Sequence, residues 1–241
     1  MKSNFVNRKD LLSHIDNTPG WFQLIDQILF AHILEFYEGI ESVGDVLEIG
    51  VYKGKSAILL SCYLPEYSDL YLCDVFDKQT TQKNQEEIMN DYDHYTKADL
   101  LKTIKKYSTR PPIVIDKSSL ELPKLLDGKQ FTFIHVDGSH IYEIVSQDVA
   151  FVTGGSLIAN GIVVFDDYRS VHTIGVSAAV WESIIHKKLK PIFRTENKMY
   201  CVNNKLNDIE VNKITGFIQN LDLDFVVDDF LGMKSLFIKK F

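Results

Sequence analysis

Val46-Leu-Glu-Ile-Gly-Val-Tyr-Lys-Gly-Lys-Ser56 is an apolar run that stops at a glycine turn and passes into helix-forming residues. That is the pattern of a buried parallel strand feeding a helix. Two later stretches, His135-Val-Asp-Gly-Ser-His140 and Ile162-Val-Val-Phe-Asp-Asp-Tyr168, also carry an apolar run into acidic, glycine or histidine residues. Strands of this kind set their end groups along one carboxyl edge of a sheet, which is where open α/β folds bind ligands.

Residues 70–73 read as a second strand ending at Asp74, residues 113–115 as a third, 131–136 as a fourth and 161–165 as a fifth. Helical patterns separate them at 55–64, closed by Pro65, at 120–126, at 141–151 before Gly154-Gly155, and at 176–189. This alternation predicts an α/β fold, a doubly wound, Rossmann-like and mostly parallel sheet in a single domain spanning 1–241. Ahead of it, Trp21, Leu24, Ile25, Ile28, Leu29, His32 and Phe36 recur at helical spacing, so residues 1–40 form an N-terminal helical cap. Behind it, residues 191–194, 199–202 and 225–237 give a β-rich end around a helix at 211–218. The polar crossover at 76–107 exceeds what strand pairing needs and is a candidate lid.

A chain of 241 residues with 45% hydrophobic side chains can build one real core. Its net charge of -7, with lysines scattered among acids, disfavours nucleic acid as a partner and points to a small molecule. Cys62, Cys73 and Cys201 are odd in number and lack metal-finger spacing, so reduced thiols in a cytoplasmic protein are expected. No apolar stretch reaches the roughly 18 residues of a membrane span, and no membrane partner is expected. Homo-oligomer formation stays open.

The chemistry sits at the strand ends. Glu48-x-Gly50-x-x-x-Gly54 lies where glycine lets backbone approach a nucleoside, although glycines needed only for a tight turn are the plain alternative. Tyr52 occupies the place of the middle glycine of a dinucleotide loop, which weakens a nicotinamide reading. Asp74 is placed to accept ribose hydroxyl protons. Asp137, Asp166 and Asp167 end strands that should be neighbours, so their mutual repulsion could be relieved by a divalent cation; the alternative is that they cap the following helices. All-oxygen ligation favours Mg2+ or Mn2+. His140, three residues after Asp137, can face the same pocket and accept a proton, or it only bonds backbone at a helix start. His135, inside a strand, reads as structural.

These motifs resemble the class I S-adenosylmethionine-dependent methyltransferases, specifically the metal-dependent O-methyltransferases related to the macrocin and other antibiotic-sugar enzymes, and more distantly catechol O-methyltransferase. The resemblance runs from about Trp21 to Val180. It is carried by 47–56, by Val136-Asp-Gly-Ser-His140 with Tyr142 and Asp148, and by Phe165-Asp-Asp-Tyr168. It implies that Glu48, Gly50, Tyr52, Gly54 and Ser56 hold the methionine end of S-adenosylmethionine, Asp74 its ribose, and Ser118 with Ser119 its adenine surroundings, with Asp137 also beside the cofactor.

It further implies Mg2+ or Mn2+ on Asp137, Asp166 and Asp167. His140, aided by Asp137, would take the proton from a hydroxyl of a small-molecule acceptor such as a sugar or hydroxylated natural product. Tyr92, His94, Tyr95, Trp21 and Phe22 could wall the acceptor pocket with aromatic surface. The rival readings are a metal-independent methyltransferase, a nicotinamide-dependent oxidoreductase, and a non-catalytic nucleoside-binding subunit.

Overall fold

The computed structural model describes residues 11, 15–40, 44–76, 95–221 and 223–239. Its nine strands make one sheet in the order β3-β2-β1-β4-β5-β7-β6-β9-β8. These are β1 (Asp45–Ile49), β2 (Leu70–Asp74), β3 (Ile113–Asp116), β4 (Phe131–Val136), β5 (Leu157–Phe165), β6 (Leu189–Arg194), β7 (Met199–Asn203), β8 (Phe225–Phe230) and β9 (Met233–Ile238). The first five are parallel neighbours, and β7 inserts antiparallel between β5 and β6. The strand order reverses between β1 and β4, the switch point where such sheets hold ligands. The expected doubly wound sheet is therefore present. The β-rich end resolves into β6 to β9, the last two forming an antiparallel pair joined at the Leu231-Gly232 turn.

Among the described residues the sheet is covered by α1 (Leu24–Gly39), α2 (Lys55–Cys62), α3 (Lys97–Ile104), α4 (Leu122–Leu125), α5 (Tyr142–Phe151), α6 (Ile174–Ile185) and α7 (Asp208–Gln219). Strand side chains alternate between two cores. Val46, Phe133, Ile162, Val164, Tyr200 and Val202 pack with α1, α2, α3 and α7, whereas Leu47, Ile134, Val163, Phe165, Met199 and Cys201 pack with α5 and α6. β5 begins at Leu157, four residues before the position read from sequence, because the backbone after the Gly154-Gly155 break returns directly to pairing with Phe131. The candidate lid falls mostly outside the described residues. Its described part includes α3, whose Leu100 and Ile104 are buried in the α1-side core, so that helix is part of the wall.

All three cysteines are free thiols. No described helix is long and apolar enough to cross a membrane.

Candidate functional site at the carboxyl edge

The turn after β1 is held by an acid from the neighbouring strand. Asp74 Oδ2 accepts the backbone N–H groups of Val51 (2.7 Å) and Tyr52 (2.8 Å), and Oδ1 accepts that of Val75 (2.7 Å). A carboxylate offers about four acceptor directions, so one remains for a hydroxyl. Tyr52 has φ 48°, a left-handed conformation unusual for a bulky residue, and its ring stacks under the exposed Trp21 at 5.7 Å. The loop, this acid and the aromatic pair thus line the ends of β1 and β2. Gly54 caps α2 and Ser56 lies buried in its first turn. Ser118, at the end of β3, accepts the N–H of Leu120 as the cap of a short 3-10 turn.

Gly50 sits where two loops meet. At φ +83° its Cα faces the backbone of the loop after β4, where an added Cβ would lie 1.9 Å from the Asp137 carbonyl oxygen and 2.6 Å from the Gly138 Cα. The glycine is required by the contact of two loops within the protein. Glu48 is fully buried on the α1 face, opposite its register partner His135, whose Nδ1 lies 2.8 Å from Glu48 Oε1.

The same face carries a charged cluster that the sequence reading missed. Pairing of β5 with β7 matches Phe165 with Met199, so Asp166 and Lys198 stand opposite each other one step beyond it. Both point to the α1 side, and Lys198 Nζ lies 2.8 Å from Asp166 Oδ2, 3.8 Å from Asp137 Oδ2 and 3.0 Å from His135 Nε2. An ammonium only donates, so His135 Nε2 accepts, and its Nδ1–H donates to Glu48. From α1, Asp26 closes the cluster, accepting the hydroxyls of Tyr200 (2.7 Å) and Thr195 (2.9 Å).

Burial and this charge pattern shift the groups together. Burial alone would lower the Lys198 ammonium, but the carboxylates of Asp166, Asp137 and Asp26 outweigh it and hold it above its ordinary value. Burial, then Asp166, with which it shares a hydrogen bond, pushes Asp137 well above the carboxylate range, against the pull of Lys198. Burial lowers His135 well below the ordinary imidazole value, and Lys198 adds to that. Burial raises Glu48 to about 8, Asp26 to about 6 and, on α5, Asp148 to about 7.

A raised acid contributes stability that is complete below its unfolded value, near 4 for Asp, and is lost as pH climbs through the folded value. Asp148→Asn should therefore shrink the fall in melting temperature between pH 6 and pH 8.5, measured by thermal melts. An unchanged fall would remove Asp148 from the account.

His140 and Asp167 form a separate pair. His140 Nε2 lies 3.3 Å from Asp167 Oδ2, and both side chains are about one-fifth exposed (23% and 22%), so the pair opens to the edge of the sheet. Asp167 has φ 55°, and its Oδ1 accepts the Ser170 hydroxyl at 2.7 Å. Burial would raise Asp167, but the bonds from His140 and Ser170 outweigh it and leave the carboxyl below its ordinary value. Gly175 lets the start of α6 reach this turn, because a Cβ there would lie 2.3 Å from the His140 carbonyl oxygen.

The three acids expected to share one metal are thus divided. Asp137 and Asp166 face Lys198, while Asp167 faces His140. Among the described residues no group of three His, Cys, Asp or Glu side chains is arranged to hold a metal ion. The acids as they stand do not fit Mg2+ or Mn2+, because they do not converge on one point: the Lys198 ammonium occupies the space beside Asp166 Oδ2 at 2.8 Å, and Asp167 is turned to His140 and Ser170. Of the expected acceptor wall, Phe22 is buried in the core and Tyr95 meets Thr103 Oγ1 through its hydroxyl (3.0 Å); Tyr92 and His94 lie outside the described residues.

The family described as a methyltransferase domain matches residues 47–168. Among solved structures, the chain resembles the O-methyltransferase NovP at 16% identity, covering 74% of this chain and 80% of that one, with a TM-score of 0.58. The calicheamicin methyltransferase CalS11 follows at 14% identity, 80% and 90% coverage and a TM-score of 0.56. An O-methyltransferase from Bacillus cereus, determined in complex with SAH, matches at 11% identity, 80% and 90% coverage and a TM-score of 0.51. At these identities the likeness is one of fold. No curated protein matches the sequence.

Proposed function

This chain belongs to the methyltransferase-domain family, and from that premise we propose that it transfers the methyl group of S-adenosylmethionine to a hydroxyl oxygen of a small molecule, with His140 as the general base. The observation that carries this reading is the opening of two different devices onto one sheet edge: the Asp74-braced loop at β1 and β2, and the His140–Asp167 pair at β4 and β5. Fold likeness to O-methyltransferases, one of them determined with SAH, supports oxygen as the acceptor atom. Fold likeness to CalS11, described as a TDP-rhamnose 3'-O-methyltransferase of calicheamicin biosynthesis, supports a sugar or other hydroxylated natural product as the acceptor class.

The free acceptor direction on Asp74, beside a loop that presents backbone and the aromatic ring of Tyr52, fits a nucleoside ribose. Gly54, Ser56 and Tyr52 would flank the methionine end, Asp137 would stand beside it, and Ser118 would lie toward the base. When bound, the cofactor supplies an electrophilic methyl group on a sulfonium. His140 removes the acceptor proton, and Asp167, accepting at Nε2, fixes the ring and stabilises the imidazolium that results. Holding both partners at one edge replaces much of the entropic cost of a bimolecular encounter.

Calorimetry tests the cofactor assignment. S-adenosylhomocysteine should bind at one site per chain and NAD should give no heat, because the Tyr52 side chain stands where a pyrophosphate-binding loop needs glycine. NAD binding with no response to S-adenosylhomocysteine would sink the methyl-transfer reading in favour of an oxidoreductase.

A further inference from the structure

We propose that the Lys198 side chain is the resident cation of this centre, standing where a divalent metal would neutralise Asp137 and Asp166, so that the protein binds no metal there. The proposal takes its reaction from the methyl-transfer reading, but its physical basis and first test do not depend on that reading. Lys198 is 1% exposed. Its ammonium has three donors, and two partners lie within hydrogen-bond distance: Asp166 Oδ2 at 2.8 Å and His135 Nε2 at 3.0 Å. Asp137 Oδ2 lies 3.8 Å from the ammonium, and the Asp137 side chain remains 27% exposed.

The position of the ammonium is fixed by the fold. Its backbone N–H donates to Thr195 Oγ1 (3.0 Å), its carbonyl accepts the Thr195 N–H (2.9 Å), and the β5–β7 register sets it opposite Asp166. A divalent ion binds carboxylate oxygens at about 2.0 to 2.6 Å. An ion at that distance from Asp166 Oδ2 would crowd an ammonium already held 2.8 Å from the same atom, and like charges so close repel strongly. Asp167, the third acid, is engaged by His140 and Ser170. In this arrangement Lys198 is a positioning residue. It keeps Asp166 inside and Asp137 at the rim, where the carboxyl can meet a ligand, and it supplies the fixed positive charge a metal would bring.

Mn2+ is the probe, followed by electron paramagnetic resonance of the free ion and by calorimetry, on wild type, Lys198→Ala, Lys198→Arg and the Lys198→Ala/Asp166→Asn pair. Wild type and Lys198→Arg should bind no stoichiometric Mn2+. Lys198→Ala, which leaves the two acids facing each other, should bind it on the order of tenfold tighter or more, and the double variant should lose that gain. A purely structural lysine would produce no such gain. Should Lys198→Ala fail to fold, wild type decides: after EDTA treatment its turnover should be the same with and without added Mg2+. Stoichiometric Mn2+ binding by wild type that disappears in Asp166→Asn, a several-fold Mg2+ dependence of turnover, or a folded Lys198→Ala protein that gains no Mn2+ site would each overturn the proposal. Failure to bind S-adenosylhomocysteine, by contrast, counts against the methyl-transfer reading and leaves the Mn2+ result standing.

Discussion

His140→Ala is expected to lower kcat by on the order of 10² to 10⁴ while affinity for S-adenosylhomocysteine stays within about twofold of wild type. The acceptor for this assay comes from screening hydroxylated small molecules for incorporation of a labelled methyl group. The separation follows from geometry: His140 is paired with Asp167 at the end of β4 and β5, whereas the Asp74-braced loop lies at β1 and β2. Asp167→Asn should give a smaller loss of the same kind, since it removes the charge that stabilises the imidazolium but leaves the base. The pH profile supplies an independent readout, because one ionisation present in wild type should be absent from His140→Ala. A variant that keeps both its rate and its profile would return His140 to a structural role.

The second large effect concerns folding. Gly50→Ala should destabilise the protein by more than about 4 kcal/mol, beyond the ordinary range of point substitutions, measured by denaturant unfolding. The added Cβ would stand 1.9 Å from the Asp137 carbonyl oxygen, and both partners are backbone, so neither can turn away as a flexible side chain would. Gly128 is the control. It has a similar φ of +74° but nothing within 4 Å of its Cβ position, so Gly128→Ala should cost only the left-handed conformation, about 1 kcal/mol. Equal losses in the two variants would show that the torsion angle matters and the loop contact does not.

The contrast at Gly50 also marks where the sequence stops being readable. A glycine after an apolar strand announces a special backbone position, but whether a ligand or another loop needs the room depends on the chain from 137 to 138, which the local sequence does not place. Strand ends were legible because parallel strands buried on both faces are continuous apolar runs, and the acids that terminate them stand out. Hence Asp74, Asp137 and Asp166 can be placed at strand ends from the sequence, and His140 in the loop that follows one of them. Which acid would face which partner was hidden: Asp166 and Asp167 are adjacent in sequence, yet the left-handed turn at Asp167 sends it to His140 while Asp166 stays with Lys198. Lys198 itself precedes Met199-Tyr-Cys-Val202, a lysine abutting a fully buried strand, and Asp26 interrupts the apolar stripe of α1. Each was a visible signal of a buried charge, and each needed the other's position to be interpreted.

The cluster around Lys198 also bears on the order in which the chain becomes native. Its members come from residues 26, 48, 135, 137, 166 and 198, spread across nearly the whole sequence. Closing loops that long before any contact rewards them is slow, and a chain emerging from synthesis has β1 to β5 available well before β7. Lys198 stands one step before β7, which pairs antiparallel with β5, so the ammonium beside Asp137 and Asp166 comes from a strand far along the chain from both. In the native fold the ammonium thus reaches both acids only through the pairing of β7 with β5. The candidate site is therefore a joint product of the first and last thirds of the chain, α1 supplying Asp26 and the segment leading into β7 supplying Lys198.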